Sequence, residues 1–417
     1  MSQIKFRLTL MNFLQFFVWG SYLTSLGGYL FVTRQFKGEE IGMVFMTMGI
    51  ASVIMPTLLG IVADRWMNAE RVLGLSHIIS AGFLFWSYSV EDPDMMFWVM
   101  MLVNMFYMPT IALNNSVSYD ILLRSGLDPQ KSFPPIRVWG TIGFIAAMWS
   151  VDLLGLTLEA EQLVFAGIAG VCMGVYSLAM PACPPSGKSE NKSLFSAFGL
   201  DAFVLFRTPK MLVFFLFAMF LGAALQVTNQ WGVPFLDHFK AIPEYEQSFG
   251  VQHANILASI SQISETLFIL TIPFFLTRFG IKRVMLISIG AWVLRFGLFG
   301  IGNPGSGVAL LVLSMIVYGM AFDFFNISGS LFVEREADKS IRSSAQGLFM
   351  LMTNGIGAII GSYGSGWVVQ HYTNEAGSTD WSTVWYIFAG YALVLFIIFP
   401  FAFRYKHNPA DVQQISH

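Results

Sequence analysis

Long apolar runs dominate the chain. Their approximate limits are 9–32, 41–63, 72–90, 95–122, 135–157, 162–181, 210–236, 253–276, 283–302, 307–333, 343–370 and 381–403. An α-helix needs roughly 20 apolar residues to cross the hydrocarbon layer, so the pattern predicts about twelve membrane spans joined by short polar loops. The first run starts directly behind Lys5 and Arg7, as a secretory leader would. It is too long for a leader's apolar region and no small-residue cleavage site stands out, so it is read as a span.

The positions of Lys and Arg test this reading. With both termini on the cytoplasmic side, the outer loops hold only Arg34, Lys37 and Lys240, while Arg137 and Arg295 fall inside spans. All the other bases, from Lys5 through Arg65, Arg71, Arg124, Lys188, Lys192, Lys282 and Arg283 to Lys406, sit in inner segments. Such an excess on one side orients a multi-pass protein, and an extra or missing span would scramble it.

Composition narrows the class further. The chain is 55% hydrophobic and 12% charged, against about 25% charged in soluble domains, which excludes a soluble globular or a disordered protein. A net charge of −2 leaves no basic footprint for nucleic acid. Cys172 and Cys183 make neither a disulfide framework nor a metal set.

The longest loop, 182–209, opens with Pro184, Pro185 and Ser186 and divides six spans from six. The expected domains are a bundle over 1–181, a cytoplasmic linker over 182–209 and a second bundle with a short tail over 210–417. Short matches hint at duplication. Trp19-Gly20 recurs as Trp231-Gly232, and Asn114-x-Ser116-x-Ser118 recurs as Asn326-x-Ser328-x-Ser330. The segment from Gly60 containing Asp64, Arg65 and Arg71 aligns with one containing Gly280, Lys282 and Arg283. Two like-oriented six-span halves are the plan of the major facilitator transporters, whose substrate sits near mid-membrane. Asp64 and Arg65 also match that superfamily's loop signature. They read either as a cytoplasmic latch or as ordinary positive-inside charge.

Ionisable groups inside spans are costly and mark function by default. Arg137, Glu265, Arg295 and Asp323 lie well inside. In span 5, Arg137, Thr141 and Phe144 share one helical face. Arg137 either meets substrate or a buried acid, or snorkels to the cytoplasm. In span 7, Gln226 and Asn229 stand at i, i+3, as ligands or as glue between helices. In span 8, Gln262 and Glu265 repeat that spacing. A carboxylate so deep can accept sugar hydroxyls, carry a proton, or both. In span 10, Tyr318, Phe322 and Asp323 put an acid among aromatic rings. Arg295 in span 9 lacks amide neighbours and reads as a structural ion pair or a snorkelling base. Gln15, Trp19 and Tyr22 in span 1, with Tyr107, Asn114 and Asn115 in span 4, are candidates for the same cavity. The glycines of span 11, from Gly355 to Gly366, read as close helix packing.

No catalytic constellation emerges. The six His residues are scattered, and there is no H-E-x-x-H, G-x-S-x-G or P-loop lysine. The chain is therefore not read as an enzyme, and an ion gradient coupled through a carboxylate replaces ATP. Amides, aromatics and two acids suit a neutral polyhydroxylated molecule with a flat ring, a nucleoside better than a plain sugar. A proton-coupled sugar or glycoside permease is the alternative. A membrane sensor that binds without carrying is the rival from another class, and the short tail after Lys406 speaks against it.

The segments FLQFFVWGSYLTSLGGYLF, FPPIRVWGTIGFI, GLDAFVLF, SQISETLFILTIPFFL, MIVYGMAFDFFNISGSLFVE and SAQGLFM resemble the nucleoside:proton symporter family of the major facilitator superfamily, close to its bacterial nucleoside permeases. The resemblance covers almost the whole chain, and departures lie mostly in the loops 182–195 and 238–250. It implies an all-α membrane fold of 12 transmembrane helices in two pseudo-symmetric six-helix bundles. It implies proton-driven nucleoside uptake across the bacterial inner membrane by a multi-pass monomer in lipid, with both termini cytoplasmic and no cofactor. It also implies that substrate meets Arg137, Thr141, Phe144, Gln226, Asn229, Gln262, Glu265, Tyr318, Phe322 and Asp323, with Asp323 and Glu265 coupling the proton.

Overall fold

The computed structural model describes residues 3–185, 200–339 and 341–405. Lys188, Lys192, Lys406, His407, His417 and half of the 182–209 linker, residues 186–199, lie outside the described residues. The chain divides into two compact units, Met1–Ser193 and Leu194–His417.

In the first unit, span 1 is α1 (Gln3–Gly20), a break at Ser21 and Tyr22, α2 (Leu23–Gly28) and a wide turn over Tyr29–Thr33. There follow α3 (Gly38–Arg65), α4 (Ala69–Ser87), α5 (Pro93–Arg124), α6 (Pro129–Leu153) and α7 (Glu161–Leu178). Helix starts carry their local signals. Asp92 accepts the Met95 N–H at 2.8 Å ahead of Pro93, and Asp128 accepts the Gln130 N–H at 2.9 Å ahead of Pro129. Each carboxylate satisfies an N–H that has no partner inside the helix, and proline loses nothing at the first helical position.

In the second unit, α8 (Pro209–Asp237) leads through two short turns, Phe249–Gln252 and Ala254–Ala258, to α9 (Ile260–Ile269). Next come α10 (Ile272–Ile301), α11 (Val308–Glu336), α12 (Arg342–Met350), a wide turn over Leu351–Gly357, α13 (Ala358–His371) and α14 (Trp381–Ala402). Within α10 the chain reverses at Gly280, whose φ of 76° is open to glycine and strained for other residues. Spans 8 and 9 therefore meet there. Asp380 caps α14, and the bonds from Thr383 hold its carboxyl below the usual carboxylate range.

Every one of the apolar runs is helical. Eight helices among the described residues are long and apolar enough to cross a membrane, by length and composition. The remaining runs are interrupted, as in spans 1, 8 and 11, or carry more polar residues, as in α4.

The same helix pairs form in both units. In the first, α1 packs on α6, α3 on α5, and α4 on both α5 and α7. In the second, α8 packs on the Leu351–Gly357 turn and α13, α9 on α11, and α10 on both α11 and α14. These are spans 1–5, 2–4, 3–4 and 3–6 repeated as 7–11, 8–10, 9–10 and 9–12, so the bundles are pseudo-symmetric. Glycines make the tightest seams. A methyl on Gly143 would strike the Phe13 carbonyl, and one on Gly222 would strike the Thr353 carbonyl.

Bases close helix ends. Arg7 donates to the Ala179 carbonyl just past α7, and Lys282 donates to the Pro400 carbonyl in the last turn of α14 at 2.9 Å. Cations are favoured where carbonyls accumulate. Lys282, one of the bases of the repeated loop, thus has a structural task.

Candidate functional site

Two faces hold the candidate residues, one in each unit. In the first unit, α6 carries Arg137, Thr141 and Phe144. Gly20 brings the α1 backbone so near that a Cβ there would lie 2.5 Å from the Phe144 carbonyl oxygen. Phe144 is buried and meets the Trp19 ring edge-on at 6.1 Å. Trp19 also packs on Tyr107 at 5.9 Å. The Arg137 guanidinium lies 4.1 Å from the Phe16 ring centre, an attraction of cation to aromatic face. Gly140 leaves room for it, since a Cβ there would come within 2.7 Å of Arg137 Nη1. The side chain therefore runs one turn forward along α6, away from the helix start, and does not snorkel back to the inner loop. Thr141 is half-buried beside it.

Of the other polar residues expected to line a cavity here, Gln15, Tyr107 and Asn114 bond across helix crossings, while the Tyr22 hydroxyl and Asn115 Oδ1 are buried with no hydrogen-bond partner among the described residues. Asn114 donates to Asn12 at 2.9 Å, and Asn12 donates to Ser118 at 3.3 Å. Gln15 donates to Thr110 at 2.8 Å, and its carbonyl oxygen faces His77 Nε2 at 2.8 Å. The Tyr107 hydroxyl donates to the Gln15 backbone carbonyl at 2.8 Å. Gln15, Tyr107 and Asn114 are fully buried. They are inter-helix glue and not cavity lining, which corrects the sequence expectation. His77 was passed over as one of the scattered histidines, yet it sits in the middle of this network. Only the neighbouring helices, invisible in a linear pattern, identify it.

In the second unit the acids gather. A Cβ on Gly319 of α11 would lie 2.6 Å from the Ser264 carbonyl oxygen of α9. Glycine at that crossing lets the two backbones touch, and the Ser264 hydroxyl donates to the Ile316 carbonyl across the seam. Gln262 and Glu265 on α9 are thereby set beside Tyr318 and Asp323 on α11. The Tyr318 phenol has Gln262, Glu265, Arg295 and Asp323 in its surroundings. Tyr318 and Asp323 are buried, and Gln262 and Glu265 are half-buried.

Arg295, which the sequence reads as a structural ion pair or a snorkelling base, does not snorkel but packs on Tyr318. It is 4% exposed, and its Cζ lies 4.4 Å from the Tyr318 ring centre. Nη1 donates to Ser261 Oγ at 3.2 Å and to the Ser314 carbonyl at 3.1 Å. Absence of nearby amides on its own helix hid this role, because its partners come from α9 and α11.

Gln226 and Asn229 are placed on α8, the former buried and the latter half-buried. Phe322 is half-buried on α11. Among the described residues no hydrogen bond or ring contact joins these three to the acid cluster. The Gln226 Oε1 is buried with no hydrogen-bond partner there, an acceptor available to a ligand. Among the described residues no group of His, Cys, Asp and Glu could hold a metal ion.

Within the repeated loop, Asp64 and Arg65 end α3 and are exposed. The buried acid of that segment is Glu70, which the sequence reading missed. It accepts the Cys183 N–H at 2.8 Å, and Cys183 in turn accepts the Ala69 N–H at 3.0 Å. The start of α4 is thus stitched to the segment that follows α7.

Comparison with known proteins adds identity to this geometry. The profile of the family described as nucleoside H+ symporter matches residues 1–408. The xanthosine permease of Escherichia coli (strain K12) is 56% identical over 411 residues, covering 98% of each chain. The nucleoside permease NupG of the same strain is 53% identical over 417 residues, covering 99% of this chain and 100% of that one. The crystal structure of the nucleoside transporter NupG as a D323A mutant superposes with a TM-score of 0.94 at 53% identity, covering 96% of this chain and 100% of the other.

Proposed function

The chain belongs to the nucleoside H+ symporter family, and on that premise we propose how its residues share the work of carrying a nucleoside together with a proton. It is a multi-pass membrane transporter and not an enzyme. The names of its relatives support nucleosides, xanthosine among them, as substrates over the sugar or glycoside alternative. The distribution of bases supports both termini in the cytoplasm, and the bacterial relatives support the inner membrane. The protein works as a monomer in lipid.

Arg137, Thr141, Phe144, Gln226, Asn229, Gln262, Glu265, Tyr318, Phe322 and Asp323 contact the substrate in this reading. Amides and Glu265 accept or donate to the ribose hydroxyls, which suits neutral groups with both donors and acceptors. Phe144 and Phe322 offer faces to the base. Asp323 takes up the proton outside, and Glu265 shares the coupling. Neutralising the acid lowers the cost of occluding it in low dielectric. Proton and nucleoside leave inside, and Arg137 balances the bare acid during the return. The two six-helix bundles alternate access to the site.

The observation that supports the proposal is the close crossing of α9 and α11 at Gly319, which sets Gln262 and Glu265 beside Tyr318 and Asp323. A membrane protein keeps two carboxylates on facing helices only at a cost of several kcal/mol. The test is Asp323→Asn in membrane vesicles. Exchange of labelled for unlabelled nucleoside should persist while accumulation along a proton gradient is lost. Full accumulation by that variant would refute the assignment.

A further inference from the structure

We propose that Phe16 and Trp19 of α1 are positioning residues of the nucleoside site: an aromatic brace that aims two side chains of α6, Phe16 the guanidinium of Arg137 and Trp19 the ring of Phe144. The proposal rests on the reading of Arg137 and Phe144 as substrate contacts, and it adds two residues that act through them.

The brace is a continuous row. The Arg137 guanidinium lies 4.1 Å from the Phe16 ring centre, the Phe16 and Trp19 rings are 6.4 Å apart, and Trp19 meets Phe144 edge-on at 6.1 Å. Phe16 and Trp19 stand at i, i+3 and so share one face of α1. Arg137 and Phe144 stand at i, i+7, two turns apart on one face of α6. Each of the two α6 side chains therefore has its own ring on α1.

Glycines make this register possible. A Cβ on Gly143 would lie 2.2 Å from the Phe13 carbonyl oxygen, and one on Gly20 would lie 2.5 Å from the Phe144 carbonyl oxygen, so α1 and α6 touch backbone to backbone beside the brace. Gly140 has a different task. The nearest atoms to a Cβ there are Arg137 Nη1 and Phe16 Cδ2, both at 2.7 Å. The missing methyl is the space in which cation and ring meet.

Rings alone hold Trp19. Its indole N–H has no hydrogen-bond partner among the described residues. Tyr107 packs on it at 5.9 Å. That phenol is itself pinned, since it donates to the Gln15 carbonyl at 2.8 Å and meets the His77 ring edge-on at 5.6 Å. The neutral network of the first unit thus reaches Phe144 through Trp19. An arginine or a ring that a ligand has to immobilise costs binding energy, and one already held does not. The brace acts on affinity by holding both groups before the nucleoside arrives.

The test measures the concentration of labelled uridine that half-saturates exchange, at equal pH on both sides, with the full-length protein in liposomes. Phe16→Leu and Trp19→Leu should each raise it about 3–10-fold, the range that a lost cation–ring or ring–ring contact covers. Phe16→Tyr and Trp19→Phe keep a ring and should stay within about twofold of the parent. Double-mutant cycles separate this role from a merely structural one. Phe16→Leu should add nothing to Arg137→Ala, and Trp19→Leu should add nothing to Phe144→Ala. Full additivity in either cycle, or a parental value in a leucine variant, would overturn the brace. Parental half-saturation in Arg137→Ala and Phe144→Ala would instead overturn the reading of those residues as substrate contacts. If a leucine variant fails to reach the membrane, Gly140→Ala decides for Phe16 and Trp19→Met for Trp19. The first pushes cation and ring apart, and the second fills the space without a ring. A rise of the same size that is absent in the Arg137→Ala or Phe144→Ala background supports the brace, and a parental value contradicts it.

Discussion

The two units bury polar groups of different kinds. The first fills its helix crossings with neutral side chains, Asn12, Gln15, Thr47, His77, Asn104, Thr110, Asn114 and Ser118, which hydrogen-bond across α1, α3, α4 and α5. Its buried acids, Glu70 and Asp152, lie near span ends. The second unit buries Arg295 and Asp323 at the middle of its spans, with Glu265 half-buried beside Tyr318. Satisfied neutral networks rigidify a core and specify one packing. A cluster whose charge changes by one proton has two balances and responds to pH. The first unit thus reads as a platform that presents Arg137 and Phe144, and the second as the part that senses the gradient.

That contrast can be broken in several places. The largest effect is expected from Glu265→Ala, which removes a charged hydrogen-bonding group worth about 1.5–3 kcal/mol. Uptake should fall roughly 10–100-fold at saturating proton gradient, measured with labelled uridine, adenosine and xanthosine. Next comes packing. Gly319→Leu forces α9 and α11 apart at the Ser264 carbonyl, and overpacking of this kind costs about 1–3 kcal/mol. Both thermal stability in detergent and accumulation should drop, because the acids are placed by that crossing.

A smaller and more selective effect is expected from the first unit. Asn114→Ala leaves Asn12 short of one bond, at about 1–3 kcal/mol. Stability should fall while the pH profile of uptake stays where it was. A shifted profile would mean that the neutral ladder takes part in coupling. The smallest effect concerns Cys183. Burial pushes its thiol up to about 12, and nearby Asp120 and Glu70 add to the rise. Maleimide labelling of Cys183 in the folded protein should be negligible at neutral pH, since the thiolate is the reactive form, and should appear on unfolding.

Most of the architecture is legible in the sequence, because membrane spans announce themselves by length and hydropathy. The breaks in spans 1, 8 and 11 are not. Nothing local to Ser21 and Tyr22 forbids a continuous helix, and wide turns such as Leu351–Gly357 are set by the helix that packs on them, here at Gly222. Glu265, Asp323 and Arg137 stood out by the cost of charge in lipid. Periodicity put Gln15 and Asn114 on plausible faces, but it does not say whether a face meets a cavity or a neighbour. The duplicated Trp-Gly pair shows the same limit. Gly20 presses on the Phe144 carbonyl, while Gly232 has open space around its Cα. Trp231 donates to Ser365 at 3.0 Å, and the Trp19 indole N–H is buried with no hydrogen-bond partner among the described residues. Equal residues in the two halves took on different tasks once their surroundings diverged.

Proton movement itself tests the division between the units most directly. In lightly buffered liposomes, adding nucleoside outside should make the medium more alkaline as protons enter with it, a change followed with a pH-sensitive dye and abolished by a protonophore. With Glu265→Gln and Asp323→Asn combined, the account predicts that labelled nucleoside still exchanges but the alkalinisation disappears. Alkalinisation of parental size in the double variant would show that the acids of the second unit are not the groups that carry the proton.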